Sequence, residues 1–342
     1  MLYDETYIET ISRLLRAELP RWGVSEGSDL ALLTFSENAT FLVTDAITSH
    51  RLVLRVHRPN YCDHAEIVSE LDWLLALKSS GVIDVAAPLP QLDGERVARL
   101  ADETAETFVV AFEFIAGAEP DSACDLSAWY RHLGQIAARL HLHSLSWQRP
   151  STFTRKVWTF DTIIGQQALW GDWRCLSEFA PDDLALLEET ETVLETRLDD
   201  YGCSPNRFGL VHSDMRLANL LVDGDKMTVI DFDDCGICWF GWDFATAVSF
   251  IENDPLLADY QSAWVEGYRS VRPLDPQDEA ILPTLVMLRR LQLSAWIASH
   301  AETPTARQLA ADYPAGTVAL ARQYLRGQTQ RVARSAQQEP SQ

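Results

Sequence analysis

His212, Asp214 and Asn219 stand at offsets of two and five residues in the stretch LVHSDMRLAN, and Asp231 follows twelve residues after Asn219 in VIDFDD. One carboxylate to orient a hydroxyl and take its proton, with oxygen ligands to hold magnesium on phosphates, are the parts that phosphoryl transfer from ATP requires. An apolar strand ends at Val211 and another begins at Leu220, so His212 to Asn219 form a loop. A turn at DGDK then sends the chain back through MTVID, and such a hairpin returns Asp231 beside Asn219. The competing reading is an Asx-rich turn whose Asp and Asn cap backbone groups. Agreement of three residue types, two spacings and a strand–loop–strand–turn–strand order favours the chemistry.

The elements that must position these groups fall into two textures. Ile8, Ile11, Leu14 and Leu15 predict an amphipathic helix, and DLALLTFSENATFLVTDAITSHRLVLRVHRP predicts three antiparallel strands. HAEIVSELDWLLALKSSG is a helix with Gly81 just past its end, and AAPLPQLDGERVARLAD and ETFVVAFEFIAGAEP add two or three strands. Residues 1–113 therefore read as a small α+β lobe of five antiparallel strands crossed by one helix. Long helical patterns dominate residues 114–328, including WFGWDFATAVSFIE, and residues 329–342 read as a polar tail that frays.

A net charge of −22 argues against a nucleic-acid partner, because neutralising phosphates takes clustered Lys and Arg; the acidic surface reads first as solubility or salt adaptation, with attraction of a cationic substrate as the second reading. Six cysteines spread over 342 residues do not resemble a disulfide scaffold, and the CxxC of Cys235 and Cys238 has no second pair at zinc-site spacing. No apolar run is long enough for a leader or a bilayer span, so the expectation is a cytoplasmic protein without a membrane partner.

HSDMRLAN, IDFDD and GWDFATA are similar to motifs of the aminoglycoside phosphotransferase and choline kinase-like family, which also holds type II homoserine kinases and the bacterial stress-response kinase. The likeness runs over roughly residues 28 to 300. It implies a two-lobed protein-kinase-like fold, ATP and Mg2+ as cofactors, Asp214 as catalytic base, and Asn219 and Asp231 as magnesium ligands. His212 would hold the loop and Asp243 would bond the loop backbone from a helix start, while Asp233 and Asp234 are expected in solvent or behind the ligands. A site of this kind wants a strand cation for the phosphates braced by a helix Glu. Arg55 of LVLRVHRP is the candidate in place of the usual Lys, with Glu70 as partner and Glu66 in reserve. Ser36, Glu37 and Asn38 form either a plain hairpin turn or a loop whose backbone amides approach the phosphates, and FEFIAG is expected to contact adenine.

Ser213 stands where regulated protein kinases carry Arg, and no APE segment follows Asp231, which points to a constitutively formed site and a small-molecule acceptor. The acidic charge and the resemblance favour an amine-bearing alcohol resembling homoserine, choline or an aminoglycoside. Trp242, Glu252, Trp264, Tyr268, Arg289, Arg290, Trp296 and His300 are either acceptor contacts or core, and residues 158–175 read as a loop that closes over the substrate. A Ser/Thr protein kinase of the stress-response type and an ATP-binding pseudokinase are the alternatives, and a homodimer is compatible with all three readings.

Overall fold

The computed structural model describes residues 5–35, 38–101, 106–120, 126–177 and 179–338. In chain order the strands are β1 (Asp29–Phe35), β2 (Ala39–Thr44), β3 (Arg51–Val56), β4 (Asp84–Val85), β5 (Pro88–Leu89), β6 (Val97–Ala101) and β7 (Glu106–Glu113). They continue with β8 (Phe208–Val211), β9 (Leu220–Asp223), β10 (Lys226–Val229) and β11 (Gly236–Trp239). The helices are α1 (Glu5–Glu18), α2 (His64–Ser80), α3 (Leu126–Ser146), α4 (Phe160–Ile163), α5 (Pro181–Tyr201) and α6 (Trp242–Ala247). After these come α7 (Leu257–Arg269), α8 (Pro276–Ala280), α9 (Leu282–Ser299), α10 (Pro304–Ala310) and α11 (Tyr313–Gln338).

Two compact units emerge, neither a single stretch of chain: Met1–Asp121, Ser146–Lys156 and Leu217–Cys235 make the first, and Ser122–Leu145, Val157–Arg216 and Gly236–Gln342 the second. In the first unit a sheet of order β1-β2-β3-β7-β5, with β6 paired to β7, has six strands. This corrects the expected five: β5 is a two-residue strand at Pro88, too short to leave a sequence period. Alternation puts Ala39, Phe41 and Val43 of β2 and Leu52, Leu54 and Val56 of β3 into a core closed by Ile11 and Leu15 of α1. Arg55 then points to the other face of β3, which α2 covers. That helix begins at an Asp63–Glu66 capping box and ends at Gly81, whose φ of +66° suits a residue without Cβ.

The second unit is helical, with one short ribbon in which β8 pairs antiparallel with β11. Trp239, expected to open a helical stretch, instead ends β11 (Gly236–Trp239), and α6 is correspondingly short. At the crossing of α3 and α7 a Cβ on Gly267 would stand 1.9 Å from the Arg131 carbonyl oxygen and one on Gly134 2.0 Å from that of Trp264, so only glycine lets these backbones meet. Residues 158–175 are not a free loop: Trp158 and Trp173 are buried, and the Trp158 N–H donates to the Ile237 carbonyl at 2.8 Å. With α5 the segment lines a cavity of about 750 Å³ that includes Asp161, Asp172, Glu191 and Glu195. At the other end α11 runs to Gln338, further than the polar composition predicts. No described helix is long and apolar enough to cross a membrane.

Candidate active site

In the first unit β3 presents Arg55, which is 5% exposed, to α2. Its Nη2 donates to both Glu70 carboxylate oxygens at 2.8 and 2.7 Å, and Glu70 is fully buried. Glu66, the reserve partner, is spent instead on the capping box, its carboxylate accepting from the Asp63 N–H. The guanidinium also reaches the hairpin end, with Nη1 3.7 Å from Asp231 Oδ1 and Nη2 3.9 Å from Asp233 Oδ1. Antiparallel pairing of β9 with β10 and the Ile230 N–H to Asn219 carbonyl bond put Asn219 and Asp231 at the same end of that hairpin. Asp231 adopts a φ of +63° with its side chain 47% exposed, while Asn219 is 5% exposed.

Asp233 is not in solvent. Its carboxylate accepts from Asn38 Nδ2 at 2.9 Å and lies 3.4 Å from His57 Nδ1. Burial opposes its charge, but the Arg55 guanidinium outweighs this and holds the carboxyl well below the usual range. His57 is pushed down as well, first by burial and then by Arg55, which favours a neutral ring. Asn38, expected to offer its backbone to phosphate, uses its side chain to tie Asp233 to the Arg58 N–H, 3.1 Å from Asn38 Oδ1. Ser36 and Glu37 lie outside the described residues. Tyr61 donates to Asp234.

In the second unit the loop after β8 is held from below. His212 is fully buried and its Nδ1 accepts from the Asp214 N–H at 3.2 Å. Asp243, at the start of α6, accepts from the Ser213 N–H at 2.9 Å and the His212 N–H at 3.4 Å, which lets Ser213 keep a left-handed φ of +69°. Behind Asp243 stands His141 of α3, its Nε2 3.0 Å away and its Nδ1 2.9 Å from the Tyr268 hydroxyl of α7. Burial keeps the His141 pKa low, so a neutral ring donates from Nε2 and accepts at Nδ1. The glycine-mediated crossing of α3 and α7 is what makes this alignment possible.

Asp214 itself is gripped twice. Arg289 Nη2 donates to its Oδ1 at 3.1 Å, and Arg216 Nε sits 3.2 Å from each oxygen. Arg289 is 3% exposed, with Nε on Ser249 at 3.1 Å, Nη1 on Gln292 at 2.8 Å and the guanidinium over the Trp170 ring. Trp242 donates to the Ser213 hydroxyl, and Arg290 pairs with buried Glu252 at 2.7 Å, so neither is a loose acceptor contact. Trp264 and Tyr268 are core. Sequence reasoning did not assign Arg289 to Asp214 or single out His141; the available signal was two arginines on α9, a helix otherwise apolar on nearly every side.

Among the described residues no three His, Cys, Asp or Glu side chains converge as a metal cluster. Asn219 and Asp231 nevertheless supply hard oxygen donors suited to magnesium, which keeps waters and phosphate oxygens in its shell and needs few protein ligands. The loop carrying Asp214 passes to the hairpin carrying Asn219 and Asp231 between Arg216 and Leu217.

The phosphotransferase enzyme family (APH) matches residues 34–274. The chain belongs to this family. It is 44% identical to the microcompartment-associated aminopropanol kinase, whose structure superposes with a TM-score of 0.86 over 92% of this chain and 98% of that one. Amicoumacin kinase of Bacillus subtilis (strain 168) is 25% identical over 236 residues, 66% of this chain and 67% of its own. The amicoumacin kinase hAmiN, solved in complex with AMP-PNP, Ca2+ and Ami, shares the fold at 22% identity, with a TM-score of 0.73 over 94% of this chain and 93% of that one. This phosphotransferase is therefore an ATP-dependent kinase that acts on a hydroxyl of a small molecule, on the protein-kinase-like fold of its family.

Proposed function

We propose that the acceptor is a short amine-bearing alcohol and that Asp214 is the base that orients its hydroxyl and takes the proton. The observation that carries the acceptor class is the 44% identity, over nearly the whole chain, to a kinase of aminopropanol. A net charge of −22 agrees with a cationic substrate, since an acidic field raises its local concentration. Asn219 and Asp231 hold Mg2+ with the nucleotide phosphates; the ion, when bound, neutralises charge on those phosphates. Arg55, braced by Glu70, turns its remaining donors to phosphate oxygens, which fits the buried Arg55 Nε that has no protein partner. His212 and Asp243 fix the loop backbone so that Asp214 is presented in one conformation. With ATP as donor the reaction belongs in the cytoplasm.

The test is ADP release by the purified protein with Mg-ATP against aminopropanols, ethanolamine, choline, homoserine, an aminoglycoside, propanediol and a generic protein, with Asp214→Asn as control. Stimulation by the short amino alcohols and not by propanediol is the expected result. Equal turnover of propanediol, or label entering only the protein, refutes the acceptor assignment.

A further inference from the structure

Residues 154–156 belong to the first unit, and each grips an element of the phosphate and metal cluster. The Thr154 N–H donates to Ser69 Oγ of α2 at 2.9 Å, and Lys156 Nζ lies 2.9 Å from Cys62 Sγ just ahead of that helix. Between them Arg155, 6% exposed, spreads its guanidinium over three backbone carbonyls. Nη1 donates to Glu66 of α2 at 3.1 Å, Nε to Cys235 at 2.7 Å, and Nη2 to Asp233.

This pattern is more than a filled hydrogen-bond quota. A planar fork with donors in fixed directions sets the relative position of whatever accepts from it, which a single point donor cannot do. The acceptors here are the helix that carries Glu70 and the loop that carries Asp231. That loop is backbone under strain, because Asp231 is a non-glycine residue at a φ of +63°, a conformation that persists only where its surroundings over-determine it. Other ties join the same elements: the Arg55 guanidinium bonds Glu70 and lies 3.7 Å from Asp231, and the edge of Phe232 packs against Trp73 of α2 at 5.4 Å between ring centroids, but neither fixes the loop backbone itself.

We propose that Arg155 is a positioning residue: by bonding Glu66 of α2 and Asp233 and Cys235 of the loop together, it fixes the register of the Arg55–Glu70 pair against Asp231. It touches neither nucleotide nor acceptor and acts through those groups. The register is then set by a permanently buried cation rather than by a regulatory event, in keeping with the lack of an APE segment. The inference rests on Asp231 being a magnesium ligand, as proposed above.

Arg155→Met keeps the length of the stem and removes the fork, Arg155→Lys keeps charge without the fork, and Asp231→Asn tests the metal reading separately. In the nucleotide-free protein, Arg155→Met should raise amide hydrogen exchange of residues 232–236 by about tenfold or more while α9 in the other unit is unchanged. The magnesium concentration for half-maximal activity and the KM for ATP should rise about 10- to 100-fold, the range for losing a group that orients a ligand, with a smaller change in acceptor KM. Arg155→Lys should resemble Met, and methylguanidinium should restore part of the magnesium dependence of Arg155→Ala. Wild-type exchange and wild-type magnesium dependence in Arg155→Met overturn the proposal, as does a wild-type Arg155→Lys if the Met variant does not fold. If Asp231→Asn leaves magnesium dependence untouched while Arg155→Met loosens the loop, the metal reading fails and the backbone clamp stands.

Discussion

Asp243→Asn isolates the support of the loop that carries Asp214 without opening a cavity, since the side chains are nearly isosteric and Asp243 is fully buried. The carboxylate offers two acceptors: Oδ1 to the Ser213 N–H at 2.9 Å, and Oδ2 to the His212 N–H at 3.4 Å and to His141 Nε2 at 3.0 Å. An amide has one oxygen. If it stays on Ser213, its NH2 faces the His212 N–H, donor against donor, and His141 must move its proton to Nδ1, where Tyr268 stands. Losing a charge-assisted bond and leaving a buried donor unpaired together cost about 3 kcal/mol. The left-handed Ser213 next to Asp214 is then released, and a displacement of about 1 Å at a reacting group costs about 100-fold in kcat. Urea unfolding followed by circular dichroism measures the first quantity, and ADP release at saturating ATP and acceptor the second. ATP affinity should hold, because Arg55, Glu70 and Asp231 belong to the other unit. A stability loss below about 1 kcal/mol together with kcat within about twofold of wild type refutes the reasoning.

Asp214→Asn should lower kcat by about 10³-fold while calorimetric Mg-ATP affinity is retained, and a fully active variant removes Asp214 as base. Arg55→Lys keeps an ammonium for Glu70 but loses the second arm that reaches 3.7 Å from Asp231, so KM for ATP should rise about tenfold, the equivalent of about 1.4 kcal/mol; an unchanged KM shows that the fork is not needed. Gly267→Ala drives a Cβ to 1.9 Å from the Arg131 carbonyl and should destabilise by about 3 kcal/mol or more, with a wild-type melting curve as the contrary result. His141 has a folded-state pKa below its ordinary 6.5 because of burial, so unfolding takes up a proton that the native ring refuses. Its stabilisation is complete above about pH 6.5 and declines as pH falls, by up to about 1.4 kcal/mol per pH unit until the folded pKa is reached. Denaturation between pH 7 and 5 should show a shallower slope in His141→Gln, and identical slopes exclude the ring as a source.

The hairpin half of the site was legible because its parts are local. Asn219 and Asp231 are joined by two short strands and a tight turn, so spacing alone returns one to the other. Helices with a clean apolar face and a cap, such as α2, were legible for the same reason. Short elements were not: β5, β11 and α10 lack the length for a period to register, and β11 exists because β8, more than twenty residues earlier, offers it an edge.

What the sequence by itself determined is which groups stand at fixed offsets: a carboxylate, an amide and a second carboxylate in one stretch of chain, and a strand cation with a helix acid to meet it. What only the tertiary structure decided is what holds those groups still. Asp233 proved to be a buried hub joining Asn38 to Arg55, Arg289 reached Asp214 from a helix 75 residues away, and Arg155 crossed 78 residues to the loop of Asp231. Such contacts carry no periodicity, because a buried charge is placed by where its partners converge in space. The chain records only that an arginine stands in an apolar stretch, and the fold alone says which carbonyl or carboxylate stabilises it there.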